Sequence, residues 1–229
     1  LPSMSPQQSA RRIRRACLLF FALALSALAL SALPAAAQSD TGVYGPAAPE
    51  NAGFVRVFNG DPSRQAVELP IGPRRYGPVA FGEVTAYRPI RGGVFFLRSG
   101  GGEAELIVRP DTYTTILLGS GEVTVISDKR HEDPARAQLV LYNVAGAGNM
   151  DLVVLPDEAP VFEDVPARAS RSRAVNAVGV ELGLRAEDAA TVDLEPLELT
   201  RGDSFGIFAV SDGPGIAARI HEARVVVED

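Results

Sequence analysis

The sequence of 229 residues contains a single cysteine, Cys17, and no tryptophan. Cys17 lies in an apolar stretch near the start, so the rest of the chain forms no disulfide and offers no thiol as a nucleophile or zinc ligand. Only two histidines are present, His131 and His221, and their separation matches no zinc motif. Neither a metal nor another cofactor is therefore predicted.

Acidic residues are absent from the first 37 positions. Arg11, Arg12, Arg14 and Arg15 precede an almost wholly apolar run at 16–33, and Ala35-Ala36-Ala37 follows it. This order is typical of a secretory signal peptide, so residues 1–37 are predicted to be cleaved and the protein to reach the bacterial periplasm. A membrane anchor is the alternative, because the apolar run approaches the length that spans a bilayer.

Lysine is scarce in the remainder, and the balance of charge is acidic. Four of the 22 basic residues lie in the predicted signal peptide, which leaves 18 against 28 acidic residues. This excess of acidic residues argues against nucleic acid as a partner and against anionic membrane surfaces. Binding of any polyanion would require a local basic patch that outweighs the acidic net charge of the protein.

Two short phrases occur twice in the chain, which indicates an internal duplication. Residues 54–59 (FVRVFN) return as 138–143 (QLVLYN), and residues 109–113 (RPDTY) return as 201–205 (RGDSF). In each copy the first phrase alternates like a β-strand and the second has the composition of a turn before a strand. The chain is thus predicted to hold two small β domains.

Alternation and glycine-rich turns predict an all-β protein without a stable helix. Predicted strands lie at 66–71, 79–87, 93–98, 103–109, 112–118 and 122–127, and then at 138–143, 150–155, 160–165, 173–185, 191–199, 204–211 and 216–227. The spacing favours two tandem immunoglobulin-like or jelly-roll-like β-sandwich domains after the signal peptide. Their predicted bounds are an extended segment at 38–52, domain 1 at 53–128, a charged linker at 129–137 and domain 2 at 138–229.

Gly202-Asp203-Ser204 is the one block that could present a catalytic serine. Such a serine needs a histidine base, and esterases with this block carry it in an Asp-x-x-His motif. Ala218 stands where His221 would need the aspartate, and the equivalent block in the first half is Pro110-Asp111-Thr112. Both blocks are therefore interpreted as turns, and no catalytic residue is predicted.

One basic island remains a candidate binding site. Its residues are Arg74, Arg75, Arg88, Arg91 and Arg98, with Tyr87 interleaved among them. Arginine pairs bidentately with carboxylates, so this island could contact an anionic polysaccharide. A solvated strand face with aromatic residues directed to the core is the alternative.

The start of the predicted mature chain resembles the AlgF family. The resemblance rests on Asp40-x-x-x-Tyr44-Gly45-Pro46-x-Ala48-Pro49 and on Phe54-Val55-Arg56-x-Phe58-Asn59. It implies a periplasmic accessory protein that assists the transfer of acetyl groups to mannuronate residues of alginate, an exopolysaccharide of biofilms. The implied partners are a membrane-bound O-acyltransferase, a periplasmic SGNH-type acetyltransferase and alginate itself. The family provides no catalytic residue that can be placed on this sequence.

Two functions are therefore predicted from the sequence. The first is a non-catalytic adaptor for alginate O-acetylation, and the alternative is a stand-alone carbohydrate-binding module for an anionic polysaccharide. An enzyme using Ser204 is disfavoured because the sequence places no base beside it.

Overall fold

The computed structural model describes residues 48–227 except 147, 187, 188 and 214. The predicted signal peptide, and positions 38–47 of the predicted extended segment, lie outside these residues. All regular structure in the described part is β-strand, which confirms the all-β prediction. Accordingly, the described residues include no helix that could span a membrane.

Strands follow one another along both halves of the described chain. The first half forms β1 (Ala52–Asn59), β2 (Ala66–Ile71), β3 (Arg74–Ala80), β4 (Arg88–Arg91), β5 (Gly93–Ser99), β6 (Gly102–Val108), β7 (Tyr113–Gly119) and β8 (Glu122–Asp128). The second half forms β9 (Ala137–Asn143), β10 (Met150–Val154), β11 (Ala159–Val165), β12 (Ser170–Val175), β13 (Gly179–Val180), β14 (Leu182–Ala186), β15 (Val192–Asp193), β16 (Leu197–Glu198), β17 (Ser204–Asp212) and β18 (Gly215–Glu222).

The two copies of the first phrase occupy equivalent places in two four-stranded sheets. The strand order is β4-β1-β7-β8 in the first sheet and β12-β9-β17-β18 in the second. β1 pairs in parallel with β7, and β9 pairs in parallel with β17. The sequence echo therefore corresponds to a repeated arrangement of strands.

Asn59 and Asn143, which end the two copies, make equivalent hydrogen bonds. Each donates from its side-chain amide to two backbone carbonyls, those of Arg64 and Val79 for Asn59 (3.0 and 3.1 Å) and those of Gly148 and Val165 for Asn143 (3.0 and 3.0 Å). Because backbone carbonyls buried without a partner are costly, each asparagine stabilises the turn that follows its strand.

Each half has its own hydrophobic core between its four-stranded sheet and its outer strands. In the first half, residues such as Val57 and Ile116 pack against the β2–β3 and β5–β6 hairpins. In the second half, residues such as Leu141 and Ile207 pack against the sheet of order β11-β10-β14-β15. This arrangement gives each half the character of a β-sandwich.

A third hydrophobic core, which we call the shared core, joins the two halves. The opposite faces of the two four-stranded sheets contribute Phe58, Leu117, Ile126, Val140, Tyr142, Phe208 and Val210. Phe208 stacks on Phe58 at 4.1 Å and on Tyr142 at 4.5 Å between ring centroids. The central strands are buried on both faces for this reason, and all seven residues of β9 are buried. The predicted domain bounds at 53–128 and 138–229 stay a prediction.

The strands predicted at 79–87, 173–185 and 191–199 differ from the structure. The first is replaced by β3, which ends at Ala80, and by an irregular segment before β4. The second is divided into β12, β13 and β14, because the chain leaves the shared-core sheet after β12 and joins the outer sheet at β14. The strand predicted at 191–199 is likewise divided, into β15 and β16, which belong to different sheets. Alternation along the sequence does not reveal where the chain changes sheets.

Candidate functional site

The predicted basic island is spread over three strands. Arg74 and Arg75 lie on β3, Arg88 and Arg91 lie at the two ends of β4, and Arg98 lies on β5. Arg88 reaches β3, where its Nη1 donates to the Arg75 carbonyl at 3.3 Å. The structure thus brings Arg88 of β4 to Arg75 of β3.

The other two members of the island are placed differently. Arg98 is paired across the β5–β6 hairpin with Glu103 at 2.9 Å. Tyr87 is buried and lies in another cluster, described below. Binding of polysaccharide by the island therefore stays a prediction that concerns chiefly the β3 and β4 arginines.

The Gly-Asp-Ser block forms the predicted turn before a strand. Gly202 has a φ of +82°, and Ser204 is the first residue of β17. The Ser204 hydroxyl donates to Oε1 of Gln138 at 2.8 Å. In the first half, Asp111 occupies the turn and Thr112 donates to the Arg109 carbonyl at 2.7 Å. Both repeated blocks therefore form the same local structure, a turn that precedes a strand.

Neither histidine hydrogen-bonds to a serine or threonine hydroxyl within the described residues. His221 Nε2 bonds to the Gly82 carbonyl at 2.8 Å, which links β18 to the first half. His131 Nε2 bonds to the Arg136 carbonyl at 2.9 Å within the predicted linker. Among the described side chains, no group of three acidic, histidine or cysteine residues is placed to hold a metal ion.

A polar cluster crosses the junction of the halves, and it is buried except for the partly exposed Asp128. Its members are Arg56, Tyr87, Thr115, Asp128 and Tyr142. Arg56 is only 2% exposed, and it donates from Nε to Thr115 (2.9 Å) and from Nη2 to the Tyr142 hydroxyl (2.9 Å). The Asp128 carboxylate accepts from three hydroxyls, those of Tyr87 (2.8 Å), Thr115 (2.6 Å) and Tyr142 (2.6 Å). Because Tyr142 belongs to the second half, the Arg56 cluster ties the two halves together.

The aromatic rings around Arg56 stabilise its charge. Its guanidinium lies over the Tyr87 ring at 4.4 Å and over the Tyr142 ring at 5.5 Å from the centroid. Burial lowers the pKa of Arg56, but Tyr142, Tyr87 and Asp128 outweigh burial and the pKa is raised. Burial also raises the pKa of both phenols, against the lowering effect of Arg56. At neutral pH the cluster therefore holds a charged guanidinium and neutral phenols.

The Arg56 cluster was not predicted from the sequence, although a signal for Arg56 was available. Arg56 alternates with Phe54 and Phe58 on one face of its strand. An arginine between two phenylalanines on a strand face that packs against another layer must be buried or covered. The partners of Arg56 could not be found this way, because Thr115 reaches it through the pairing of β1 with β7 and Tyr142 through the packing of the two sheets.

A pocket of about 280 Å³ opens beside the cluster, and we call it the junction pocket. Arg56, Tyr87, Asp128 and Tyr142 of the cluster line it. Its other lining residues are Tyr113, Lys129, Arg130, His131, Gln138, Val140, Gly202, Asp203, Ser204, Ala223 and Val225. Ser204 and His131 thus share a pocket, but each is bonded to a different partner.

The fold and the site define the class: an all-β protein with two repeated four-stranded sheets, a shared core and a polar pocket at the junction. The described geometry offers binding groups and presents no serine or threonine hydroxyl bonded to a histidine.

The chain belongs to the AlgF family, because the family model described as "Alginate O-acetyl transferase AlgF" matches residues 24–206. It is similar to the alginate biosynthesis protein AlgF of Pseudomonas fluorescens, with 26% identity over 89% of this chain and 91% of that protein. The corresponding protein of Pseudomonas aeruginosa is 25% identical over 83% of this chain and 88% of its own length. The family resemblance noted at residues 40–59 is therefore confirmed.

A solved structure also matches part of the chain. The C-terminal domain of AlgF from P. aeruginosa aligns with 38% of this chain and 98% of its own length, at 24% identity and a TM-score of 0.35.

Proposed function

We propose that this protein is a non-catalytic accessory protein for the O-acetylation of alginate in the bacterial periplasm. The observation that carries the proposal is the family match along residues 24–206. The placement of Ser204 and of both histidines supports the non-catalytic part, because Ser204 is bonded to Gln138 rather than to an imidazole. The acetyl transfer itself then belongs to partners, a membrane-bound O-acyltransferase and a periplasmic SGNH-type acetyltransferase.

An adaptor needs a surface for protein partners, and the outward face of the β5–β6 hairpin is suited to this role. Phe96 is 78% exposed, and Val94 and Ile107 on the same face are about half exposed. Val94 and Ile107 are directly paired across the two strands. Exposed apolar side chains that cluster on one face mark interaction surfaces more often than single ones do. We assign this face to the periplasmic acetyltransferase.

The first prediction concerns this face. Phe96→Glu is expected to abolish co-purification with the periplasmic acetyltransferase while leaving the midpoint of thermal unfolding unchanged, because the Phe96 ring is mostly in solvent. A pull-down with the tagged acetyltransferase measures the effect. Val178→Glu is the matched control, since Val178 is 55% exposed in the second half and outside the proposed surface. Equal retention of the Phe96→Glu and parent proteins would remove the β5–β6 face from the proposal.

The second candidate function is a stand-alone carbohydrate-binding module. The junction pocket favours it, because this pocket combines cationic and hydroxyl-binding groups. A stand-alone module would not retain the periplasmic acetyltransferase in the pull-down, and this result separates it from the adaptor.

A further inference from the structure

β18 forms one border of the second four-stranded sheet, and no described strand pairs with its outer edge. Residues of an antiparallel strand direct their backbone groups alternately toward and away from the neighbouring strand. The Ala223 amide donates to the Ser204 carbonyl at 2.7 Å, and alternation from this pair directs the backbone groups of every second residue of β18 away from β17. These residues are Ile216, Ala218, Ile220 and Glu222. β18 therefore presents backbone donors and acceptors of the kind that pair with an additional strand.

The continuation of this edge already pairs with another segment of the chain. After β18, the Arg224 carbonyl accepts from the Tyr87 amide at 2.7 Å, and the Val226 amide donates to the Tyr87 carbonyl at 2.9 Å. Within β18, the Arg219 side chain covers the outward carbonyl of Ala218, to which its Nη1 donates at 3.2 Å. The edge can thus accept strand pairing along β18 once this side chain moves.

Two cavities lie along the free edge. The larger has a volume of about 490 Å³ and is lined by β18 and by residues 192–195. The smaller, of about 290 Å³, is lined by the end of β18 and by residues 84–86. The side chains of Ile216, Ala218 and Ile220 are partly exposed here, although they pack against the hydrophobic core of the second half. An additional strand beside β18 would therefore have room and would cover apolar surface.

Acidic side chains surround these cavities. The two linings contain four carboxylates, those of Glu83, Asp193, Glu195 and Glu222, against two arginines, Arg219 and Arg224. All four acidic residues are exposed. Complementary charge across an interface selects the partner and increases its rate of association. The free edge is therefore suited to a segment that carries basic residues.

We propose that the free edge of β18 binds an extended, basic segment of a protein partner, which adds as a fifth strand to the sheet of β12, β9, β17 and β18. In strand addition, backbone hydrogen bonds supply affinity and pockets for alternate side chains supply specificity. The inference rests on the proposed adaptor function, because an adaptor joins more than one protein and the β5–β6 face is assigned to one of them. A second copy of this chain, paired edge to edge, is disfavoured because it would bring two acidic borders together.

The test is a titration of the labelled peptide Lys-Val-Thr-Val-Thr-Val-Lys with the purified protein, followed by fluorescence anisotropy. The parent protein is expected to bind this peptide. Two further versions carry N-methyl groups on either the valines or the threonines, so that each lacks the N–H donors of one edge of the peptide. Because only one edge of an added strand faces β18, one version should bind at least about tenfold more weakly and the other like the unmodified peptide.

Two variants of the protein locate the binding site. Ala218→Pro is expected to weaken binding at least about tenfold, because proline removes an amide that points away from β17 and is tolerated on edge strands. Circular dichroism checks that this variant keeps its strand signal. Asp193→Lys/Glu195→Lys changes only exposed side chains and is also expected to weaken binding.

The matched control is Asp157→Lys/Glu163→Lys, which makes the same change of charge on exposed residues at β11, the opposite border of the sheet that contains β15. This variant is expected to bind like the parent. The proposal is overturned if the parent does not bind, if both N-methylated peptides bind alike, if a folded Ala218→Pro protein binds like the parent, or if the control loses as much binding as the Asp193/Glu195 variant.

Sedimentation of the parent and of Ala218→Pro distinguishes the occupants. A parent dimer that Ala218→Pro converts to a monomer would overturn the proposal, because the occupant would then be a second copy. Phe96→Glu is expected to bind the peptide like the parent, since its change lies on the other proposed surface. Failure of strand addition is therefore distinguishable from failure of the proposed function, which the acetate content of the polymer tests.

Discussion

At the scale of single residues, Arg56 explains most of the chemistry at the junction. It brings a permanent charge into a region where burial is costly, and the structure compensates with two hydrogen bonds and surrounding aromatic rings. Tyr142 is the member of the cluster that comes from the second half, and its hydroxyl contacts both Arg56 and Asp128. The protonation state of the Tyr142 phenol therefore affects the contact between the halves.

The second prediction concerns the ionisation of Tyr142. Its folded-state pKa is raised above the unfolded value of about 10. The neutral phenol is thus favoured in the folded protein, so its contribution to stability is complete below pH of about 10 and is lost as the pH rises toward the folded-state value. Tyrosinate absorbance followed against pH, with the titration of Tyr142→Phe subtracted, isolates this phenol.

The expected result is that the isolated phenol ionises only together with unfolding, which circular dichroism follows in parallel. In denaturant the same phenol should ionise at pH of about 10, which provides the control. Ionisation at that pH in a protein that keeps its strand signal would contradict burial of Tyr142 beside Asp128.

At the scale of strands and turns, the duplication places equivalent structural features in both halves. Asn59 and Asn143 end equivalent strands and make equivalent bonds to backbone carbonyls. They differ in one respect, because Oδ1 of Asn59 accepts from the Asp61 amide at 3.1 Å whereas Oδ1 of Asn143 has no partner among the described residues. The repeat therefore provides an internal comparison of the two sites.

The third prediction follows from this comparison. Asn59→Ala and Asn143→Ala should each lower the free energy of unfolding by about 1–3 kcal/mol, because each removes the asparagine donor from a buried carbonyl, that of Val79 or Val165. The cost should be greater at position 59, where a third bond is lost. Chemical denaturation measures both, with the exposed Asn176→Ala as the control. Losses no larger than that of Asn176→Ala would show that these amides do not stabilise the turns.

Much of the strand pattern could be predicted from sequence. For example, glycine-containing turns separate the two strands of the β5–β6 hairpin and the two strands of the β7–β8 hairpin. The strands that failed have particular causes. β3 contains Gly77 and Pro78, which reduce strand propensity, yet Tyr76 and Val79 pack into the first core. The strand predicted at 173–185 overlaps both β12 and β14, which lie in different sheets. Sequence periodicity reports which side chains are buried but does not report which sheet a strand joins.

At the scale of the whole molecule, the two halves depend on each other through the shared core. Beyond the stacked Phe58, Phe208 and Tyr142 rings, the chain segment after β18 returns to the first half, where the Tyr87 amide donates to the Arg224 carbonyl at 2.7 Å. The duplication was predictable because both phrases recur in order. The packing of the halves against each other was not predictable. The alternating pattern that contains Val140, Tyr142 and Phe208 is the same whether that face packs inside one sandwich or against the other half.

We propose that this protein supports alginate O-acetylation without carrying out the transfer. The most direct test is the acetate content of alginate from cells that lack the gene, complemented with the parent or with Ser204→Ala at equal protein levels. We expect polymer poor in acetate without the gene and full acetylation with either protein. Normal acetylation in the absence of the gene, or failure of Ser204→Ala to restore it, would contradict the account.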